Sequence, residues 1–299
     1  MKFLKKSKYF PIIAVVIALV VWLSQNTELF SEQKKPVVET GDDCAVHFVD
    51  VGQGDCTLVL CGGKSLLIDA GENGYESTVI NYIRNCGIEK LDYVVATHQH
   101  SDHIGSLAEV FEEIPVDNLI MPRLSKEQTP TNSTYKHFVK AVSESGAKVT
   151  AAAPGLSFEL GTASFEILGP VNQNNDNLNS MSAVTKITHG ENSFIVCGDA
   201  EFDEEEDIIA TGADLDCKVL RVGHHGSYTS SGNKWLNAVT PEACVISCGE
   251  GNDYGHPHDK ALNRIMKHTG QIYRTDICGT IVMTSDSVNL AIEYENEVE

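Results

Sequence analysis

Four residues in the seven-residue stretch THQHSDH (97–103) form the densest chemical signal in the chain. His98, His100, Asp102 and His103 follow an apolar run, LDYVVAT, that reads as a strand ending at the string. In an extended loop leaving a strand, alternate residues face one way. His98 and His100 can therefore share one metal ion, while Asp102 and His103, past a change of direction, can serve a second. Imidazole with carboxylate suits zinc, or manganese where more carboxylate joins. Such a site needs donors from distant segments. LIDAG offers Asp69, CGDA offers Asp199 and RVGHHGS offers His224 and His225, each after an apolar run and beside a small residue where a strand turns. Taken singly, a strand-end Asp caps a turn and a His pair belongs to a polar loop. Their shared position at strand ends is what joins them.

The elements that must hold these residues alternate along the chain. Strand-like runs are CAVHFVDV, TLVLC, SLLIDA, LDYVVAT, VDNLIM, AKVTAA, SFEL, SFEILG, SAVTKITHG, SFIVCG, KVLRVG, ACVISCG, QIYRT, GTIVMTS and SVNLAIEY. Helices are expected at 77–85, 104–114, 133–145, 202–211 and 260–269. Strands arrive in meanders interrupted by single helices, twice over, which predicts an α+β fold of two mixed sheets packed face to face with helices outside, a four-layer αββα sandwich. The charge run EFDEEED (201–207) reads as a solvated helix face. FVDVGQGDC places Asp50 and Asp55 on either side of a tight Gly-Gln-Gly hairpin, where the carboxylates by themselves read as solvated.

The N-terminus is organised differently. Residues 1–8 carry four lysines, and 9–27 form an uncharged, largely apolar stretch with Trp22 at its end. They read as a basic cytoplasmic region and a signal anchor, with no small-x-small cleavage triplet after Leu23. Residues 28–43 read as a linker, and the folded domain as 44–299. The expected location is a bacterial cell membrane, single-pass with the domain extracytoplasmic, or secreted if the segment is cleaved. Beyond residue 43 there are 16 basic against 37 acidic residues, which excludes a generic nucleic-acid coat. Nine irregularly spaced cysteines without a C-x-x-C pair read mainly as small core residues.

FVDVGQGDC, LIDAG, ATHQHSDHIGSL, CGDAE, VGHHGS and YGHP resemble, in this order, the metallo-β-lactamase-fold hydrolase domain of ComEC-type DNA-uptake proteins, over residues 44–295. Surface choline-phosphate esterases look similar over the same motifs. The resemblance implies that His98 and His100 bind a first metal, that Asp102, His103 and His225 bind a second, and that Asp199 bridges them. It also implies that Asp69 orients the loop and that Asp50, Gln53 and Asp55 stand near the metal face. A third histidine for the first metal is missing, since His137 and His189 fit no motif; Asn179, Ser180 and Ser182 stand where the related domains carry an Asn and Ser stretch. His224 and His256 become candidates for protonating a leaving oxygen, with His256 in a Gly-His-Pro turn that can equally serve to lock the loop.

The function expected is that of a membrane-anchored phosphodiesterase or nuclease using two divalent ions, zinc or manganese, and a bridging hydroxide. Its partners are a phosphate-ester substrate, DNA among the candidates, and the membrane; the sequence predicts no protein partner. A choline-phosphate-like esterase is the alternative. Lactam hydrolysis is disfavoured by the missing histidine, and an inactive binding module by the complete His98–His103 string. Lys218, Arg221, Lys234, Lys260, Arg264, Lys267 and Arg274 are candidates for a basic rim beside His225.

Overall fold

Short apolar runs rich in Val, Ile and Leu are suited to strands covered on both faces, and these dominate the chain. A computed structural model describes residues 41–296. Its strands are β1 (Cys44–Phe48), β2 (Thr57–Cys61), β3 (Lys64–Ile68), β4 (Leu91–Val95), β5 (Val116–Met121), β6 (Lys148–Ala151), β7 (Ser157–Leu160), β8 (Ala163–Ile167), β9 (Thr185–His189), β10 (Asn192–Val196), β11 (Val219–Arg221), β12 (Ala243–Ile246), β13 (Gln271–Arg274), β14 (Ile281–Ser285) and β15 (Leu290–Tyr294). The helices are α1 (Glu76–Asn85), α2 (Ser101–Ile104), α3 (Leu107–Glu113), α4 (Ser133–Ser145), α5 (Phe202–Thr211), α6 (Asn233–Val239), α7 (Asp259–Ile265) and α8 (Thr275–Cys278). One sheet has the order β15-β14-β1-β2-β3-β4-β5-β6, the other β13-β12-β11-β10-β9-β8-β7.

Side-chain alternation along the strands divides the interior into three cores. Phe48, Leu66, Val95, Phe165, Phe194 and Val219 pack between the sheets. Leu67, Val94 and Leu119 face Ile83 of α1, Phe111 of α3 and Phe138 of α4. Ile195, Leu220 and Cys244 face Ile208 of α5, Trp235 of α6 and Ile265 of α7. The four-layer αββα arrangement expected from the sequence is the one found. All nine cysteines are buried, as core residues should be.

Both sheets change character partway across. Antiparallel pairing gives way to parallel pairing at β3–β4 in one and at β10–β11 in the other. The strand ends flanking these two switches carry Asp69, the 97–103 loop, Asp199 and the 223–226 turn.

Two helix expectations need correcting, and two helices were not expected. The helix expected at 104–114 begins earlier and breaks into α2 and α3 at Gly105, where a Cβ would lie 2.2 Å from the Asn73 backbone nitrogen. That at 260–269 ends at Ile265, and α6 and α8 were not foreseen. The basic region 1–8, the anchor 9–27 and almost all of the linker 28–43 lie outside the described residues. Among the described residues no helix is long and apolar enough to cross a membrane.

Candidate metal centre

The first half of the site is built on Asp69, a fully buried carboxylate just past β3. Its backbone takes a left-handed φ of 59°, which Asp tolerates better than most residues. Its Oδ1 accepts a hydrogen bond from the Thr97 backbone N–H at 2.8 Å and its Oδ2 one from the Thr97 hydroxyl at 2.6 Å. The same Oδ2 lies 2.7 Å from His103 Nδ1. This contact assigns the proton to Nδ1 and leaves the Nε2 lone pair facing the site. The loop after β4 is thereby fixed at both ends. His98 Nε2 and His100 Nδ1 converge to 2.9 Å, two ring nitrogens brought to one point. Backbone packing tightens the arrangement further. Asp55 N–H donates to the Asp102 carbonyl at 3.0 Å, and a Cβ on Gly54 would lie 2.5 Å from that oxygen.

The second half comes from the other sheet. Asp199, 2% exposed, follows β10 and divides its two oxygens. Oδ1 lies 3.1 Å from His103 Nε2 and 3.5 Å from His225 Nε2, while Oδ2 lies 3.6 Å from His224 Nε2 and 3.8 Å from His98 Nε2. Asp102 Oδ2 reaches His225 Nε2 at 3.2 Å. His225 Nδ1 donates to the Ser247 carbonyl at 2.9 Å, so its Nε2 also points inward. His224 and His225 have φ of 51° and 52°, a strained conformation for side-chain-bearing residues that persists only where surroundings enforce it.

The result is two donor clusters sharing Asp199: His98, His100 and Asp199, and Asp102, His103, Asp199 and His225, the candidate atoms of each lying within 4.8 Å of one another. His103 Nε2, His225 Nε2 and Asp199 Oδ1 are buried without a hydrogen-bond partner. Orphaned donor atoms of this kind fit a divalent ion, and the residues are those that bind one. The electrostatics describe a site of negative potential, which favours a cation. Burial works to raise the Asp199 carboxyl, but His103 and His225 hold it well below the usual carboxylate range. Burial works to lower His103, but Asp199 and Asp69 push it well above the ordinary imidazole value. Burial lowers His98 and His100, keeping both rings as neutral donors.

Beneath these clusters lies an ion pair that the sequence reading misplaced. Arg221 is not part of a basic rim but fully buried. Its Nη2 pairs closely with Asp55 Oδ1 and its Nη1 donates to the Gly198 carbonyl at 2.6 Å. Other members of the expected rim are also engaged: Lys234 pairs with Glu206 at 2.8 Å, Arg274 with Asp276 at 2.5 Å, and Arg264 donates to the Ser230 and Ser231 carbonyls. Asp50 stays with its own hairpin, accepting from Gly52 N–H at 3.0 Å, and it lines no part of the cavity; Gln53 does. The reach of an Asp side chain to the backbone two residues on accounts for this difference.

The acidic run 201–207 is likewise not simply a solvated face. Glu201 Oε1 lies 3.1 Å from His224 Nδ1 and accepts from Thr229 Oγ1 at 2.9 Å, and its Oε2 accepts from Asn177 Nδ2 at 2.9 Å. Asp203 accepts from Ser180 Oγ at 2.5 Å. Glu204 accepts from Val171 N–H at 2.7 Å and Glu205 from Gly232 N–H at 2.9 Å. Four acids on the first turn of α5 and its N-cap thus fasten the loops around the site. The available signal was position, since the run starts two residues after Asp199.

The clusters floor a cavity of about 330 Å³. His224, His256 and Tyr254 form one side of it and Gln53, Asn132 and Asn179 contribute amides. Among the described residues no third histidine completes the first cluster. His137 pairs with Glu112 at 3.0 Å on an exposed helix, and His189 bonds Ser285 Oγ at 2.8 Å in the interior. Burial, reinforced by the neighbouring imidazoles, lowers His256 to about 4; its ring lines the cavity as a neutral group.

Comparison with known proteins agrees with this geometry. Residues 49–250 match the model of the metallo-beta-lactamase superfamily. The chain is 28% identical over 254 residues to ComE operon protein 3 of Bacillus subtilis, covering 79% of this chain and 32% of that protein. It is 30% identical over 258 residues to Recombination protein 2 of Haemophilus influenzae, covering 85% and 29%. It therefore spans about a third of the length of these curated relatives. The metallo-beta-lactamase fold protein YhfI from Bacillus subtilis superposes with a TM-score of 0.52 at 16% identity, over 82% of this chain and all of that one. With a matching family model over two thirds of its length and a divalent-metal donor set at the expected strand ends, the chain belongs to the metallo-beta-lactamase superfamily of metal-dependent hydrolases.

Proposed function

We propose that the protein hydrolyses phosphodiesters, with nucleic acid as its preferred substrate, using two divalent ions. The observation that carries this reading is the division of Asp199 between two donor clusters at the floor of one cavity. Its relatives' names, a recombination protein and, in Neisseria gonorrhoeae, a competence protein, support a role in handling DNA. His98, His100 and Asp199 would hold one ion, and Asp102, His103, His225 and Asp199 the other. Two such ions activate water near neutral pH and offset phosphoryl charge, which suits a cavity whose nearby cations are already paired.

The chain's own residues do the rest. Asp69 keeps His103 in one tautomer and fixes the loop of His98 and His100. Asp55 and Arg221 support His225 from below. His224 is the better proton donor to the leaving oxygen: Glu201 holds its Nδ1, and its Nε2 faces the cavity beside Asp199. His256, pushed down to about 4, is neutral near pH 7 and serves as a wall. The reading also puts the domain outside the cytoplasm, anchored by residues 9–27; membrane fractionation of the full chain and of a chain lacking residues 1–35 tests that part.

The decisive experiment is hydrolysis by the purified, chelator-treated full chain after adding Zn²⁺ or Mn²⁺, with single-stranded DNA and a choline-phosphate ester side by side. Cleavage of DNA supports the proposal. Turnover of the choline ester alone replaces nucleic acid with a surface phosphate ester, and turnover of neither overturns the phosphodiesterase reading.

A further inference from the structure

One wall of the cavity is a column of rings. His225, itself a member of the second donor cluster, stacks on His256 with centroids 5.9 Å apart and planes 27° apart. His256 stacks on Tyr254 at 5.6 Å and 15°. The middle ring is held firmly: Asn252 Oδ1 accepts from the His256 backbone N–H at 2.9 Å, Asn252 Nδ2 donates to its carbonyl at 2.6 Å, and His258 meets the ring edge-on at 4.8 Å. Tyr254 ends the column and is 65% exposed, the most exposed aromatic ring among the described residues. A large, uncovered ring beside a polar cavity, on a backbone fixed by hydrogen bonds, is a surface prepared for a flat ligand.

We propose that Tyr254 is a base-stacking residue, holding on its outer face the nucleobase next to a phosphodiester seated over Asp102 and Asp199. The substrate class is then a nucleotide phosphodiester rather than an alkyl or aminoalkyl phosphate ester. This inference rests on the phosphodiesterase reading above. Stacking on an aromatic side chain tolerates any base, because every base has a π-face. It also supplies affinity that an acidic domain cannot draw from lysines and arginines. The amides of Gln53, Asn132 and Asn179 in the same cavity suit the polar edge of a base. A quaternary ammonium group is recognised best by an aromatic cage around it; here one face of Tyr254 is already covered by His256, and one face remains.

The test uses the full chain loaded with Mn²⁺ and two fluorescein-labelled six-nucleotide strands, one of thymidines and one abasic. Both are made with cleavage-resistant phosphorothioate linkages for anisotropy and with ordinary linkages for kinetics. Wild type is expected to bind the thymidine strand about tenfold tighter than the abasic one, and to show the same preference in KM. Tyr254→Ala brings both ratios to about one, while Tyr254→Phe and Tyr254→Trp keep them. The inference is overturned if wild type shows no preference or if Tyr254→Ala weakens both strands equally. It is equally overturned if Tyr254→Phe loses as much as Tyr254→Ala, which would assign the role to the hydroxyl, or if the variant loses affinity for choline phosphate instead. Failure of the phosphodiesterase reading shows separately, as absence of turnover on both ordinary strands, while the anisotropy ratio still decides the stacking role.

Discussion

The two sheets contribute to one centre by different means. The β4 end supplies a contiguous string, His98 to His103, organised by a single buried carboxylate, Asp69, whose bonds to Thr97 and His103 are 2.6 to 2.8 Å. The β10 and β11 ends supply Asp199, His224 and His225 from separate segments, the two histidines on left-handed backbone. That half is held from further away, by Arg221 below and by the acids of α5 at the side. A compact string needs one clamp; a dispersed, strained set needs a network.

The comparison is broken most directly at the residue both halves share. Asp199→Ala should empty both clusters, reducing hydrolysis to background and bound metal to a small fraction, as read by elemental analysis with circular dichroism confirming the fold. His98→Ala should abolish turnover too, but deplete one ion more than the other. Equal retention of both ions in Asp199→Ala would show that the halves bind independently. Asp69→Ala follows in size: with the loop unclamped, metal affinity should fall about 10- to 100-fold, measured by competition with a chelator. Arg221→Ala should instead act on stability. It removes the close charge partner of a buried carboxylate that burial already pushes upward, a loss of about 3–5 kcal/mol, which urea unfolding can measure.

This contrast also explains what the sequence disclosed. The strand runs were legible because strands covered on both faces read as short apolar stretches, and the donors were legible because they close those stretches. The 97–103 string and its clamp Asp69 were recoverable, as ligand spacing and strand ends are local features. Arg221 was misread as a rim residue because its partner, Asp55, is 166 positions away, and a charge count cannot show a pairing of that kind. The same limit hid the acids of α5. Four carboxylates on one helical turn satisfy the pattern of a solvated face, and their loop partners declare themselves only in three dimensions. Gly105 interrupting a helix, and Asp50 folding back on Gly52, are further cases where a close backbone approach overrides a local pattern.

A smaller effect sharpens the account of the network side. Burial pushes Glu204 up to about 8 and Glu205 up to about 7. Both values exceed those of an unfolded glutamate, so between about pH 4.5 and 8 the folded chain holds protons that the unfolded chain releases. Stability from these groups is present at the acid end and is lost as the pH rises through that window. Glu204→Gln keeps an acceptor for Val171 N–H and cannot ionise. Relative to wild type it should be near neutral at pH 5 and gain about 2–4 kcal/mol by pH 8.5, since a tenfold change in proton affinity on folding corresponds to about 1.4 kcal/mol. A pH-independent difference would mean that Glu204 acts by shape and not by charge.

The smallest effect is expected where the sequence placed a rim and the structure shows a paired surface. Lys234 is exposed and already joined to Glu206 at 2.8 Å; a solvated pair of this kind contributes about 0–1 kcal/mol. If substrate were gathered by such cations, Lys234→Ala would weaken binding to DNA and flatten its salt dependence, because each neutralised phosphate adds to the salt slope. If substrate is instead held by the shared metal floor, turnover on DNA should stay within about twofold and the salt slope should not move. The two sides of the centre would then differ in how they hold the metals but agree in leaving phosphate recognition to them. A lowered salt slope would return part of that task to the surface of the second sheet and its helices.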